Sequence, residues 1–378
     1  MEVTADAARR FLVSRHFLSP ARSLSGLDGV LEVFRRLGSV QFDPVAVAGR
    51  NHDLVLHARV DGYEPVWCDE LYARGDLFET TNKALSLILA EEFPWFRFSS
   101  GRKGRRFHQG ALDENAAVAE HVLERIRAEG PLSSADFEQR AGATKNWFGA
   151  PENAVRSVLE AYTVFGVVGL ARREGNVRYY DLVERLVPAA SEIPEHEQLR
   201  HKLVSRYRAH GLLGAGGAGG TFARIADPAD RKALHAELVE SGALVPVAIE
   251  GLRGTRFVVA DEVELLESPP PAAPSVAFIA PFDSLLWDTK LLEGLFGFEY
   301  VWEGFFKAER RRFGYYVLPI LFGDRLVGRI EPRIDRSRGS VDILGLWWQD
   351  GFDPARVDGF EGAMDEALAA YRRFATAA

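Results

Sequence analysis

Between Asn115 and Leu182 the chain spaces its apolar residues in an order that few folds accommodate: helix, helix, helix, hairpin. Asn115 to Ala128 carries a helical pattern, and Pro131-Leu-Ser-Ser134 starts a further turn. Asn153 to Phe165 then sets Val155, Val158, Leu159 and Tyr162 on one stripe, the spacing of a buried helix face. Gly166–Arg173 and Asn176–Leu182 read as two strands joined at Glu174-Gly175, because an apolar run broken by a glycine turn favours a hairpin. This is the order of a winged helix. A similar order recurs from Pro194: one helix carries Leu199, Leu203 and Tyr207, a second carries Leu234 and Leu238, and Leu244–Glu250 pairs with Arg256–Val259 across Gly251–Thr255.

Ser268-Pro-Pro-Pro-Ala-Ala-Pro274 marks the clearest boundary, since proline-rich chain is stiff and extended. Beyond it lie strand-like runs at Val276–Ala280, Tyr315–Leu321, Arg325–Ile330 and Val341–Trp347, with Gly323-Asp324 turning a hairpin. Val357, Phe360, Met364, Leu368 and Tyr371 form a closing helical stripe. The first segment opens with helices at Ala5–Ser14 and Val30–Leu37, continues with Pro65–Tyr72, and extends as an apolar helix over Leu85–Phe96. The expected fold is therefore mixed α+β: tandem winged-helix domains followed by a β-rich C-terminal region with a terminal helix. Its expected segments are 1–110, 111–190, 191–267 and 275–378.

Composition narrows the partners. Of 378 residues, 47% are hydrophobic and 26% charged, which supports a sizeable core. Cys68 is the only cysteine, so an intrachain disulfide and a cysteine metal cluster are both excluded. The nine histidines have no His-x-x-x-His spacing, so neither metal nor cofactor is expected. No apolar stretch approaches the ~20 residues of a membrane span, and the N-terminus lacks the layout of a signal peptide. A cytoplasmic monomer is the expectation. Gly214–Gly220 lacks the Gly-Lys-Ser/Thr ending of a phosphate loop and reads as a flexible loop.

A net charge of −8 argues against nucleic acid, but local charge matters more within a Debye length. Arg97–His108 is basic throughout, with Arg102, Lys103, Arg105 and Arg106 together. Two more basic clusters lie at Lys307–Arg312 and Arg329–Arg338.

The chemistry-bearing candidate is Gly38-Ser-Val-Gln-Phe-Asp-Pro44. Val30, Val33, Phe34 and Leu37 fill a helix face that Gly38 caps. Pro44 disfavours helix at Asp43, and in extended backbone alternate side chains share a side. Gln41 and Asp43 then face one way, with Val40 and Phe42 anchored on the other. A carboxylate beside an amide can support positive charge on a sugar and place a water. Spacing alone leaves the turn-forming reading of Asp-Pro ahead.

The surroundings change that weighting. Leu37–Val45, Arg50-Asn-His-Asp53, Tyr72–Glu79, Ala84–Leu87, Arg178–Arg185, Ile279–Asp288, Leu295–Tyr300 and Phe313–Arg329 resemble, in order, the crosslink-unhooking DNA glycosylases known as AlkZ, AlkX or YcaQ. The resemblance implies tandem winged helices and a catalytic Gln-Φ-Gln or Gln-Φ-Asp motif. Here it would be Gln41-Phe42-Asp43, on the AlkX-like side. It further implies a monofunctional DNA glycosylase acting on double-stranded DNA that carries N7- or N3-alkylated purines, including bulky adducts and interstrand crosslinks. Asp43 would be the base or electrostatic stabiliser and Gln41 the water holder. Arg50 and His52 follow the motif and become candidates for flanking phosphates, with Arg102, Lys103, Arg105 and Arg106 the stronger electrostatic ones. Lys83 stands where the family often has His, so no role is carried over to it, and it reads as solvated. Asp283 and Asp288 read as turn braces. The alternative function is a winged-helix transcriptional regulator without catalysis.

Overall fold

The computed structural model describes residues 1–97, 102–137, 143–145, 151–174, 177–187, 193–217 and 220–377, apart from the side chains of Arg102, Lys103, Ala143, Lys145 and Pro151. The chain forms two compact units: Met1–Asp69, Val204–Phe222 and His235–Ala378 make the first, and Glu70–Leu203 with Ala223–Leu234 the second.

In the first unit, helix Ala5–Arg15 starts where the Thr4 side chain accepts a hydrogen bond from Ala7 N at 3.1 Å, satisfying an N–H the helix cannot pair itself. Helix Gly26–Leu37 buries the predicted Val30, Val33, Phe34 and Leu37. It stops at Gly38, whose φ of 68° is the left-handed conformation of a helix C-cap. Strands Leu244–Ile249 and Arg256–Val259 form the expected antiparallel hairpin. Glu2–Val3 adds to it in parallel, opposite Ala248 and Ile249, which two residues without periodicity could not announce.

The segment after Ser268–Pro274 supplies a four-stranded antiparallel sheet, Val276–Phe278, Leu318–Phe322, Arg325–Asp335 and Ser340–Trp348 in that spatial order. Helix Phe360–Thr376 covers it, with the Tyr371 ring 5.9 Å from Phe278 and Phe360 5.2 Å from Phe322. The predicted stripe is shifted slightly: Phe360, Met364 and Tyr371 are buried, Leu368 is half-buried, and Ala363, Ala367 and Ala370 complete the face. One apolar cluster joins Phe11 and Leu12 of the first helix to Ile279, Leu285, Leu291 and Leu321. The two ends of the sequence thus share a core. Within it Arg59 pairs with Asp283 at 2.8 Å, both fully buried, and Arg15 pairs with Glu262 at 2.9 Å. Asp283 and Asp288 also accept from Leu285 N and Leu291 N at 3.0 Å, the bracing roles expected of them.

The second unit contains helices Arg102–Glu114, Ala116–Glu129 and Ala154–Val164. The last is capped by Asn153, whose side chain accepts from Val155 N at 2.8 Å. Val122, Ile126, Val155, Val158 and Leu159 meet in one core with Val168 and Leu182. Strands Val168–Glu174 and Val177–Leu182 pair antiparallel, while the predicted turn residues Gly175 and Asn176 lie outside the described residues. Leu132–Ser133 extends this sheet against Tyr179–Tyr180, so the expected turn at Pro131–Ser134 begins as a short strand.

A larger correction falls on Leu85–Phe96, expected as one helix. Leu85–Leu89 is a strand paired with Leu77–Thr81, and only Phe93–Phe96 is α-helical. A five-residue apolar run is buried on both faces in either conformation, so periodicity cannot separate them. Here Asn82 N bonds Ala84 O at 2.9 Å and turns the hairpin. No helix among the described residues is long and apolar enough to cross a membrane.

Candidate active site

Val40–Gln41 is a short extended stretch directly after the Gly38 cap. Val40 and Phe42 are 2% and 9% exposed while Gln41 and Asp43 are half-buried, the alternation that the extended backbone predicts. The Asp43 carboxylate accepts from Val45 N at 2.8 Å, the aspartate turn that also formed the rival reading of Asp-Pro. Partial burial raises the Asp43 pKa above the ordinary carboxylate range, and the Val45 N–H opposes that shift. A water-filled cleft would leave such an acid weakly basic. Desolvation makes it a better proton acceptor.

The loop is held from far away in sequence. Asn51, fully buried, donates to Gln41 O at 2.8 Å and accepts from Phe282 N at 3.0 Å. Farther along the loop three consecutive carbonyls are taken: Ala46 O by Arg336 at 3.4 Å, Val47 O by Ile334 N at 2.8 Å, and Ala48 O by the Tyr371 hydroxyl at 2.5 Å. Gly49 has a φ of 116°, and a Cβ there would meet the Phe374 ring at 3.0 Å. Backbone pinned at successive residues cannot drift by the ångström that costs a catalytic group its reach.

Arg50 and His52 both make contacts within the fold, and Arg50 stays partly exposed. Arg50 Nε bonds Asp53 at 2.5 Å, and its guanidinium reaches Asp69 at 3.4 Å. Tyr63 donates to the same Asp53 at 2.8 Å. His52 is 1% exposed and stacks on Phe42 with ring centroids 4.7 Å apart. A buried imidazole cannot touch DNA in this conformation, and its contact fixes the ring between Gln41 and Asp43. In the second unit Arg105 pairs with Glu195 at 2.5 Å and Arg106 is exposed, whereas the side chains of Arg102 and Lys103 lie outside those described. Lys83 is half-buried.

Sequence reasoning missed three contributors. Asn51 sat in the resembling motif without a stated role, and its partners at positions 41 and 282 could not be read from spacing. The long hairpin Arg325–Asp335 and Ser340–Trp348 touches the loop through Ile334 and Arg336. Tyr316 is the third: it is buried, its hydroxyl has no hydrogen-bond partner among the described residues, and its ring packs 4.9 Å from Trp302. Burial, and then the charge of Asp43, push the Tyr316 pKa up. Among the described residues no group of three His, Cys, Asp or Glu side chains is gathered as a metal site.

A family model described as DNA glycosylase AlkZ-like matches residues 34–374. Among solved structures, the Streptomyces sahachiroi DNA glycosylase AlkZ is similar at a TM-score of 0.67 and 16% identity, covering 99% of this chain and 97% of that one. At that identity the likeness speaks for the fold.

Proposed function

The chain belongs to the AlkZ-like DNA glycosylase family, and on that premise we propose that it hydrolyses the N-glycosidic bond of N7- or N3-alkylated purines, bulky adducts and crosslinks included. Asp43, rather than a second amide, puts it in the Gln-Φ-Asp branch. Alkylation already makes the base cationic, so the C1′–N9 electron pair leaves with the base and neutralises it without a general acid. The remaining work is at the sugar. Asp43 supports the positive charge growing there and takes the proton of the water that adds to C1′, while the Gln41 amide orients that water. The step is monofunctional, with no amine intermediate. The observation that carries this reading is a partly desolvated carboxylate on a loop pinned on both sides, at Gln41 and at Ala46 to Ala48.

The second unit completes the reading as a binding module. Ala116–Glu129, Ala154–Val164 and the Val168–Leu182 hairpin follow winged-helix order, with Arg106 on the preceding helix a candidate phosphate contact. Arg50 and His52 serve as positioning residues for the loop. The protein is read as acting alone on duplex DNA in the cytoplasm.

The test is release of N7-methylguanine from duplex DNA. Asp43→Asn should keep fold and DNA affinity and lose on the order of 10³-fold in kcat, about 4 kcal/mol. A base must be ionised, so the wild-type rate should climb with pH through the Asp43 pKa, with its acid limb shifted upward from that of an ordinary aspartate. Wild-type release rates from Asp43→Asn would sink the assignment.

A further inference from the structure

Phe305 is 87% exposed, and Val301 and Phe306 beside it are 52% and 42% exposed. Bare aromatic surface of this kind calls for a partner. Between Phe306 and Phe313 the loop carries Lys307, Arg310, Arg311 and Arg312 against Glu309 alone. The cations are not spent on the fold to the same degree. Arg311 is turned inward, its Nε on Phe306 O at 3.0 Å and its guanidinium 4.8 Å over Tyr315. Arg312 reaches Glu299 only at 3.8 Å. Lys307 and Arg310 are exposed and form no ion pair among the described residues.

The loop is nevertheless rigid at its neck. Glu303 accepts from Arg312 N, Phe313 N and Gly314 N at 3.1, 2.9 and 3.3 Å. Glu331 holds Tyr315 N at 2.6 Å, and a Cβ at Gly314 would lie 2.2 Å from that carboxylate. Glycine is what lets the acid reach the backbone. The neck also adjoins the pinned loop of the active site, because Trp302 packs on Phe282 at 5.3 Å and on Tyr316 at 4.9 Å. Phe282 N in turn bonds Asn51, which holds Gln41.

From this placement we infer that the Trp302–Phe313 loop is a duplex-DNA grip in which Lys307 and Arg310 meet phosphates and Phe305 wedges between base pairs beside the lesion. The charge picks the partner: Lys307 and Arg310, exposed and without an ion pair among the described residues, beside a projecting ring match an anionic polymer with stackable bases. Wedging costs a few kcal/mol of stacking and opens the duplex around an adduct too large to be swung out whole. Phosphate contacts made by a pinned neck cost little ordering entropy. The inference rests on duplex DNA being the substrate but not on Asp43 being the base.

The experiment uses a duplex with 2-aminopurine next to N7-methylguanine. Wild-type protein should raise the 2-aminopurine fluorescence several-fold on binding. Phe305→Ala should abolish the rise at unchanged Tm, and Phe305→Trp should restore it. In K307Q/R310Q the slope of log affinity against log salt should flatten by about 2, roughly one per phosphate lost, while Phe305→Ala leaves the slope alone. Unchanged fluorescence with Phe305→Ala, or an unchanged slope with K307Q/R310Q, overturns the grip. So does Phe305-dependent sedimentation with anionic lipid vesicles when the DNA readouts do not move, which would make the loop a membrane contact. Fluorescence and slope behaving as stated, with no base released by the wild type, would support the grip and sink the hydrolysis.

Discussion

Two loops of the first unit meet through Trp302, Phe282 and Asn51, and they are built on opposite plans. The Gln41–Gly49 loop is gripped from outside by Asn51, Ile334, Arg336 and Tyr371, and its polar groups are drawn half out of water. The Glu303–Gly314 loop is closed by its own Glu303, and it pushes Phe305 and Lys307 outward. A group that does chemistry must be fixed to a fraction of an ångström and partly desolvated. A group that grips a charged polymer must stay hydrated until contact, because its gain comes from displaced counterions. On the roles proposed above, the same unit would supply both environments by having one loop clamped and the other closed.

Removing the clamp should break the contrast most severely. Asn51→Leu keeps the branched shape but leaves Gln41 O and Phe282 N without their amide partner, and unsatisfied buried groups cost ~1–3 kcal/mol each. Unfolding in urea should report a loss of about 3 kcal/mol, with base release falling further than stability explains. A variant that retains full activity would mean the loop needs no outside grip.

The clamp was the part of the site least legible in the sequence. Helices with a clear stripe and a glycine or asparagine cap, such as Gly26–Leu37 and Ala154–Val164, follow from local spacing. So do hairpins split by glycine, as at Leu318–Phe322 and Arg325–Asp335. The alternation of Val40, Gln41, Phe42 and Asp43 was equally readable, because a stopped helix and a following proline leave one backbone choice. Asn51, Tyr371 and Ile334 act over separations of 10 to 323 residues, and no period encodes that. Leu85–Leu89 failed for a different reason: its run was too short to choose between strand and helix. Arg50 and His52 had residue types suited to phosphate, and their contacts to Asp53 and Phe42 could not be read from spacing.

Acid should sharpen the contrast next. His57 is 5% exposed, stacks on Phe374 at 4.7 Å, and lies 6.0 Å from Tyr371, the residue that holds Ala48. Burial, then the charges of Arg22 and Arg373, lower its pKa to about 3. An unfolded chain protonates the same ring near pH ~6.5. Above pH 7 both states are neutral and His57 contributes nothing. As pH falls below ~6.5 the unfolded state binds the proton first, so stability drains away until the folded value is reached. The loss is about 2 kcal/mol at pH 5. His57→Phe keeps a stacking ring and should flatten that part of the Tm profile between pH 7 and 5. An unaltered profile would place the acid sensitivity elsewhere, His210, lowered by burial to about 4, being the next group to try.

The smallest effect expected is also the one that bears most directly on the chemistry. Tyr316 carries a buried hydroxyl with no partner among the described residues, and such a group costs free energy unless some state of the protein uses it. Its neighbour is Asp43, whose charge falls on it. In the proposed mechanism, the water that Gln41 and Asp43 hold at the sugar would supply the missing partner. Tyr316→Phe removes that one oxygen and keeps the ring against Trp302. It should leave Tm equal to wild type or slightly higher, because an unsatisfied polar atom is deleted. It should lower kcat about tenfold, ~1.4 kcal/mol, with KM little changed, since the contact belongs to the transition state rather than to binding. Equal kcat with a raised Tm would make Tyr316 a packing residue and leave Gln41 and Asp43 to hold the water alone.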